Sequence, residues 1–222
     1  MKKDKLEQKM FDSSNVYYRE LFNKHGRDPR SLGWTKGRQD IRFGKLTGFL
    51  NKVDPTETFT LLDYGCGFGD LYNYLCKEFP NMRYTGVDIM EDFVEQNISE
   101  WRESEMKPAF ELIQDKSDIV DHYDFTIASG TFNLKDPTID LNFDLYVEES
   151  IKYLESITNK VLAIDFMSPN VDFKKEISHH QDLTRLICGC ISPGTPYLID
   201  STYLPYEFAF FLYKDNKFCP QM

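Results

Sequence analysis

The chain has 222 residues, of which 41% are apolar and 18 are Phe, enough for one domain with a full core and short for two. A net charge of -10 works against an extended nucleic-acid surface, which needs clustered Lys and Arg to neutralise phosphates. The charged opening MKKDKLEQKM lacks an apolar core behind it, and no apolar run is long enough to span a bilayer. The expectation is a cytoplasmic protein without nucleic-acid or membrane partners. Five cysteines, Cys66, Cys76, Cys188, Cys190 and Cys219, have no zinc or iron-sulfur spacing and read as reduced thiols.

Residues 4–24 have a weak helical pattern, with Met10, Phe11, Tyr17, Tyr18, Leu21 and Phe22 as its apolar positions. Gly26, Pro29 and Gly33 then break the chain. Thr35 can cap a second helix, in which Phe43, Leu46, Phe49 and Leu50 share a face. Short apolar strands follow, at 59–64, 83–89, 109–115, 123–130 and 160–167, with helices starting near Asp70, Glu91 and Leu141. This alternation predicts an α/β fold with a mostly parallel sheet and helices on both faces. The stretch 195–214 reads as two strands joined by a short turn, an antiparallel pair closing the sheet. One domain is expected over 1–222, with 1–55 as a helical lid and 56–222 as the α/β core.

The end of the first strand carries the chemistry. In LLDYGCGFGDL (61–71), Gly65, Gly67 and Gly69 permit backbone angles closed to other residues and let a ligand approach the main chain. Asp63 can hold this loop or accept hydrogen bonds from a cationic group. Asp88 ends the second strand nineteen positions after Gly69, near the spacing at which a carboxylate meets a ribose diol. The order is D-x-G-x-G-x-G, not the G-x-G-x-x-G of nicotinamide and flavin folds, and the Gly-Lys-Ser/Thr ending of a P-loop is missing.

This form, with an acid ending the second strand, resembles the first two motifs of class I S-adenosylmethionine-dependent methyltransferases. The resemblance implies a seven-stranded Rossmann-like sheet and S-adenosylmethionine as cofactor, with S-adenosylhomocysteine as its product form. It further implies that Gly65, Cys66 and Gly67 run under the methionyl part, with Asp63 near the amino group. Asp88 would bind the ribose hydroxyls and Ile89 would pack on the adenine. The adenine amine would meet Asp115, with Gln114 as competitor, and Ser129 and Gly130 would face the methyl group. The segment SLGWTKGRQDIRFGKL is similar to bacterial small-molecule methyltransferases of the trans-aconitate-methyltransferase-like kind, through Gly33, Trp34, Gln39, Arg42 and Phe43. There Arg42 either pairs with the cofactor carboxylate through two parallel hydrogen bonds or is a surface residue. Trp34 either covers the ligand or belongs to the core.

The acceptor is less legible. Methyl transfer needs a positioned nucleophile and, for oxygen or ammonium, a base to remove its proton. His179 and His180, after the fifth strand, are the candidate bases, with a solvated surface pair as the alternative. Tyr18, Ser129, Tyr203 and Tyr206 are candidate acceptor contacts, and Tyr17, Tyr18, Phe22, Trp34, Tyr203 and Tyr206 form either an aromatic cage or lid packing. The fourth strand ends in SGTFN, not in the Asp/Asn-Pro-Pro-aromatic sequence of base and amide methylation. No His and carboxylate cluster has metal-ligand spacing. The expectation is methyl transfer to nitrogen or oxygen of a small molecule. Its rivals are intramolecular displacement giving methylthioadenosine and a non-catalytic cofactor-binding subunit.

Overall fold

The structure, a computed structural model, describes residues 2–33, 37–104, 106–140 and 142–220, the first four of them by backbone alone. Seven strands form one sheet: β1 (Thr60–Tyr64), β2 (Arg83–Asp88), β3 (Ala109–Leu112), β4 (Tyr123–Ala128), β5 (Thr158–Met167), β6 (Tyr197–Asp200) and β7 (Glu207–Tyr213). Their order is β3-β2-β1-β4-β5-β7-β6. The first five are parallel, and β7 lies antiparallel to both β5 and β6. The winding reverses between β1 and β4, which leaves a crevice at the carboxyl ends of these strands where open α/β sheets bind ligands.

Side chains alternate between the two faces of a strand, and both faces of this sheet are covered. Leu61, Val161, Ala163, Ala209 and Phe211 join one buried cluster, together with Phe43, Leu46, Leu71, Tyr72 and Leu75. These helical residues come from α2 (Gln39–Thr47) and α3 (Asp70–Leu75). The neighbouring Leu62, Leu162, Ile164, Phe208, Phe210 and Leu212 join the opposite cluster, against Tyr146, Val147, Ile151, Leu154 and Leu186. Those residues belong to α5 (Phe143–Ile157) and α6 (Leu183–Cys190). The sheet is thus a seven-stranded, mostly parallel one with an antiparallel carboxy-terminal pair, as expected.

Boundaries differ where polar groups outcompete the ladder. The third strand stops at Leu112, not Asp115, because Asp115 and Asp118 exchange hydrogen bonds in a capping box that turns the chain into a short 3-10 helix. Phe49 and Leu50 are buried as expected, though in a 3-10 turn (Gly48–Lys52) following α2. Thr35, Trp34 and Leu141 lie outside the described residues.

The long α1 (Lys2–His25) crosses the crevice. Met10, Phe11, Ser14 and Tyr18 are spaced to lie on one side of it, and all four line the cavity beneath. Phe22 meets Phe68 and Phe93, with ring centroids 6.0 and 5.7 Å away. An ion pair from Arg19 to Asp92 (3.2 Å) fastens its second half to α4 (Glu91–Trp101), and one from Arg27, two residues past its end, to Glu100 (2.7 Å) holds the chain that follows. A buried pair of Glu7 with Lys116 at 3.8 Å holds the first half over the 3-10 helix after β3.

Candidate active site

The loop after β1 is built around left-handed backbone. Gly65 has φ +79° and Gly67 φ +52°, and a Cβ on Gly65 would stand 2.5 Å from Oγ1 of Thr131. The Gly65 and Cys66 amides donate to the Val87 carbonyl at 2.8 and 3.0 Å, so the loop closes onto the end of β2. Its outer turn is held twice more. Asp88 accepts from the Gly67 amide at 2.8 Å through Oδ2, and the Asn97 side chain on α4 donates to the Gly67 carbonyl at 2.8 Å. The second carboxylate oxygen of Asp88 accepts from the Met90 amide at 2.9 Å. The Ile89 amide also pulls on this carboxylate, which keeps acceptor capacity beyond these amides, and Asp88 lines the cavity. Burial raises its pKa, against the pull of those amides.

Asp63 lies beside it on β1, 3% exposed, and accepts from the Tyr84 hydroxyl at 2.5 Å. Burial, opposed by that hydrogen bond and reinforced by the charges of Asp88 and Asp70, pushes its pKa up to about 7. The Tyr18 hydroxyl is pushed up by burial and by the charge of Asp88, which places α1 within the field of the same carboxylate. Cys66 contributes main chain to the loop. Its thiol is buried in the core with its pKa driven well above the ordinary value by desolvation, so it is no nucleophile.

Across the crevice, Ser129 and Gly130 follow β4. The Ser129 hydroxyl donates to Asp165 at 2.9 Å and the Gly130 amide donates to it at 2.7 Å. Burial lifts the Asp165 carboxyl to about 6, with Arg42 pulling the other way. The Arg42 guanidinium is engaged fork to fork with the Glu207 carboxylate, one arm at 2.6 Å. Arg42 is therefore neither a surface residue nor free for a cofactor carboxylate. It pairs with the partly buried Glu207 and its charge favours the ionised form of the buried Asp165.

Tyr18, Asp63, Tyr64, Gly65, Cys66, Gly67, Asp88, Ile89 and Ser129 share one cavity with Gln39, Phe93, Ile113 and Thr131. Asp115 lies apart from that lining, since its side chain accepts from the Ser117 amide at 2.8 Å and hydroxyl at 2.5 Å. Tyr203 packs against the core with its hydroxyl buried and without a partner. Tyr206, half exposed, donates to Asp172 at 2.9 Å. Neither lines the cavity, so the tyrosines expected to form an aromatic cage are not gathered in one place. Trp34 is outside the described residues.

His179 and His180 line a second cavity, which shares Met10 and Phe143 with the first. They are not a solvated pair. His179 is 4% exposed, stacks edge-on with Phe143 at 4.8 Å and meets Oε1 of Gln181 at 3.1 Å. Burial lowers its pKa. Nδ1 of His180 lies 2.7 Å from the Ser168 carbonyl, an acceptor only, which assigns the proton to Nδ1 and leaves Nε2 as a bare lone pair. That Nε2 is buried without a partner.

Three residues central to this geometry escaped the sequence reading. Asp165 had a signal, a carboxylate inside the apolar run VLAIDFM. Asn97 had a fainter one, a polar residue on the buried face of α4 with Phe93 and Val94. Tyr84 had none, because its contact with Asp63 depends on the register of β1 on β2.

The donor set fits S-adenosylmethionine: paired buried carboxylates for an ammonium and a diol, bare main chain at the glycine loop, and Ile89, Phe93 and Ile113 for an adenine face. Comparisons with known proteins point the same way. A family model described as a methyltransferase domain matches residues 62–142. The protein Rv1506c of Mycobacterium tuberculosis, named as a methyltransferase, is 25% identical over 126 residues, 57% of this chain and 72% of that protein. Among solved structures, magnesium protoporphyrin IX methyltransferase from Synechocystis PCC 6803 with bound S-adenosylmethionine superposes with TM-score 0.64 at 18% identity, covering 90% of this chain and 97% of that one. The methyltransferase in a complex with the Haloferax volcanii Trm112 activator superposes with TM-score 0.61 at 13% identity, over 88% of this chain and 96% of that one. At such identities the structural matches speak for the fold alone.

Proposed function

We propose that the chain is a class I S-adenosylmethionine-dependent methyltransferase that transfers the methyl group to nitrogen or oxygen of a small-molecule acceptor. The observation that carries this reading is the pairing of Asp63 and Asp88 in one cavity with the Gly65–Gly67 main chain and Ser129, at the point where the sheet reverses its winding. In this reading Asp88 takes the ribose hydroxyls with the lone pairs its amide donors leave open. Asp63 takes the cofactor ammonium, which returns its carboxyl to the ionised form. Ile89, Phe93 and Ile113 flank the adenine.

When bound, S-adenosylmethionine supplies an electrophilic methyl group on a sulfonium that departs as a neutral thioether. The chain's own task is then to orient the nucleophile and take its proton. His180 is the candidate for the second part, because the Ser168 carbonyl fixes its tautomer and leaves Nε2, shut off from solvent in the cofactor-free chain, without a partner. The Ser129 hydroxyl, which spends its proton on Asp165, offers a lone pair at the cavity wall for the nucleophile's N–H or O–H. The α1 segment, within residues 1–55, serves as the lid that keeps water out.

Incubating the protein with S-adenosylmethionine and a panel of small metabolites bearing amines, hydroxyls or carboxylates should produce S-adenosylhomocysteine with at least one of them. Methylthioadenosine as the product, or no calorimetric binding of either cofactor form, would overturn the proposal.

A further inference from the structure

The second cavity has a volume of about 630 Å³, room for a metabolite, and adjoins the cofactor cavity across Met10 and Phe143. Its walls are fixed to each other. The Lys135 amide donates to the Ile177 carbonyl at 2.9 Å and the His179 amide to the Asn133 carbonyl at 3.0 Å, which sets the segment after β4 against the segment after β5. This pairing puts Lys135 on one wall and Lys174 and Lys175 on the other.

Three lysines and three acids line these walls, a formal balance in a chain whose net charge is -10. Among the described residues, none of the three lysines is within ion-pair distance of an acid. Two of the three acids at the cavity are engaged elsewhere. Asp136 accepts from Ser13, from the Thr138 amide at 2.8 Å and from its hydroxyl at 2.6 Å, while Asp144 pairs with Arg185 at 3.8 Å. These two carboxylates keep their charge but are held by those partners, whereas no ion pair among the described residues holds the three ammonium groups. The amino end of α5, a helix of 15 residues, also lines this cavity through Asn142, Phe143 and Asp144, and adds the positive end of its dipole. A concave site with three clustered ammonium groups outside any ion pair offers an anion charged donors.

We propose that this cavity is the acceptor subsite and that the acceptor is a small molecule carrying a carboxylate or phosphate group. Lys135, Lys174 and Lys175 hold the anion, and the apolar pair Met10 and Phe143 borders the path to the cofactor. This inference rests on the methyl-transfer reading.

Calorimetry on the protein saturated with S-adenosylhomocysteine, at low salt, tests it with succinate, inorganic phosphate and uncharged succinamide as probes. Succinate or phosphate should bind at least tenfold more tightly than succinamide, and the stronger of the two identifies the anion class. Combining Lys135→Ala, Lys174→Ala and Lys175→Ala should weaken that probe at least tenfold while S-adenosylhomocysteine binds as before. Equal binding of charged and uncharged probes, or an unchanged affinity in the triple variant, shows an adventitious ion only and overturns the inference. Failure of the wild-type protein to bind S-adenosylhomocysteine would instead sink the methyl-transfer reading.

Discussion

Asp88 accepts a hydrogen bond from the backbone amide of Gly67 at 2.8 Å, so the carboxylate proposed for the ribose also fixes the loop proposed to run beneath the cofactor. Removing it takes away a contact and a brace together. Asp88→Ala should weaken S-adenosylhomocysteine binding by roughly tenfold to a hundredfold, since hydrogen bonds to a charged group contribute about 1.5–3 kcal/mol. Calorimetry measures the affinity. Unchanged binding would mean that the cofactor lies elsewhere.

Gly65 tests the loop without touching a charge. Gly65→Ala brings a Cβ to 2.5 Å from Oγ1 and 2.9 Å from Cγ2 of Thr131, at a φ of +79°. Thr131 is not free to retreat, because its hydroxyl donates to the Tyr64 carbonyl at 2.7 Å. Left-handed strain and overpacking each cost about 1–3 kcal/mol. Thermal unfolding should therefore shift down by several degrees, with loss of cofactor binding in the protein that remains folded.

Asp63 makes stability and binding depend on pH in opposite senses. Its folded pKa of about 7 exceeds that of an unfolded carboxylate, so the folded chain binds protons more tightly. That contribution to stability is complete below about pH 4 and is lost as pH rises to about 7. Asp165, at about 6, acts the same way over the lower part of the window. The melting temperature of the cofactor-free protein should fall from pH 5 to pH 8, and Asp63→Asn should flatten the fall. S-adenosylhomocysteine should bind more tightly as pH rises through 7, with proton release visible as different binding heats in buffers of different ionisation enthalpy.

Arg42→Ala separates support from binding. It leaves the partly buried Glu207 without its partner and the buried Asp165 without a nearby cation, and breaking a fully buried pair costs about 3–5 kcal/mol, an upper bound here. Chemical denaturation should show that loss. Affinity for S-adenosylhomocysteine in the folded protein should change less than in Asp88→Ala. Arg42→Lys should recover only part of the stability, because an ammonium cannot reproduce the two-armed contact with Glu207.

The parts of this molecule that were legible in its sequence are those governed by neighbours in the chain. Strand and helix alternation pointed to the sheet, and the glycine spacing with Asp88 pointed to residues that line one cavity, because a turn and its following strand are local events. Arg42 was misread in both alternatives, since its partner Glu207 lies 165 positions away and a guanidinium carries no mark of which carboxylate it meets. Asp115 was assigned by strand position, yet its carboxylate was drawn to the nearby Ser117. His179 and His180 were expected on a loop over the site, and what the sequence withheld was their burial, which follows from the pairing of 133–135 with 177–179.

The place of β7 bears on how the molecule assembles. It follows β6 in the chain but lies between β5 and β6, so β6 has no ladder of its own to join until β7 has docked on β5. Docking also brings Glu207, the first residue of β7, to Arg42 on α2. The two halves of the chain thus lock at the same moment, and such distant pairings fold slowly because loop closure precedes the contacts that reward it. A half-folded chain lacking β7 would present the long, apolar edge of β5 to its neighbours, which makes this strand the point from which aggregation during refolding would start.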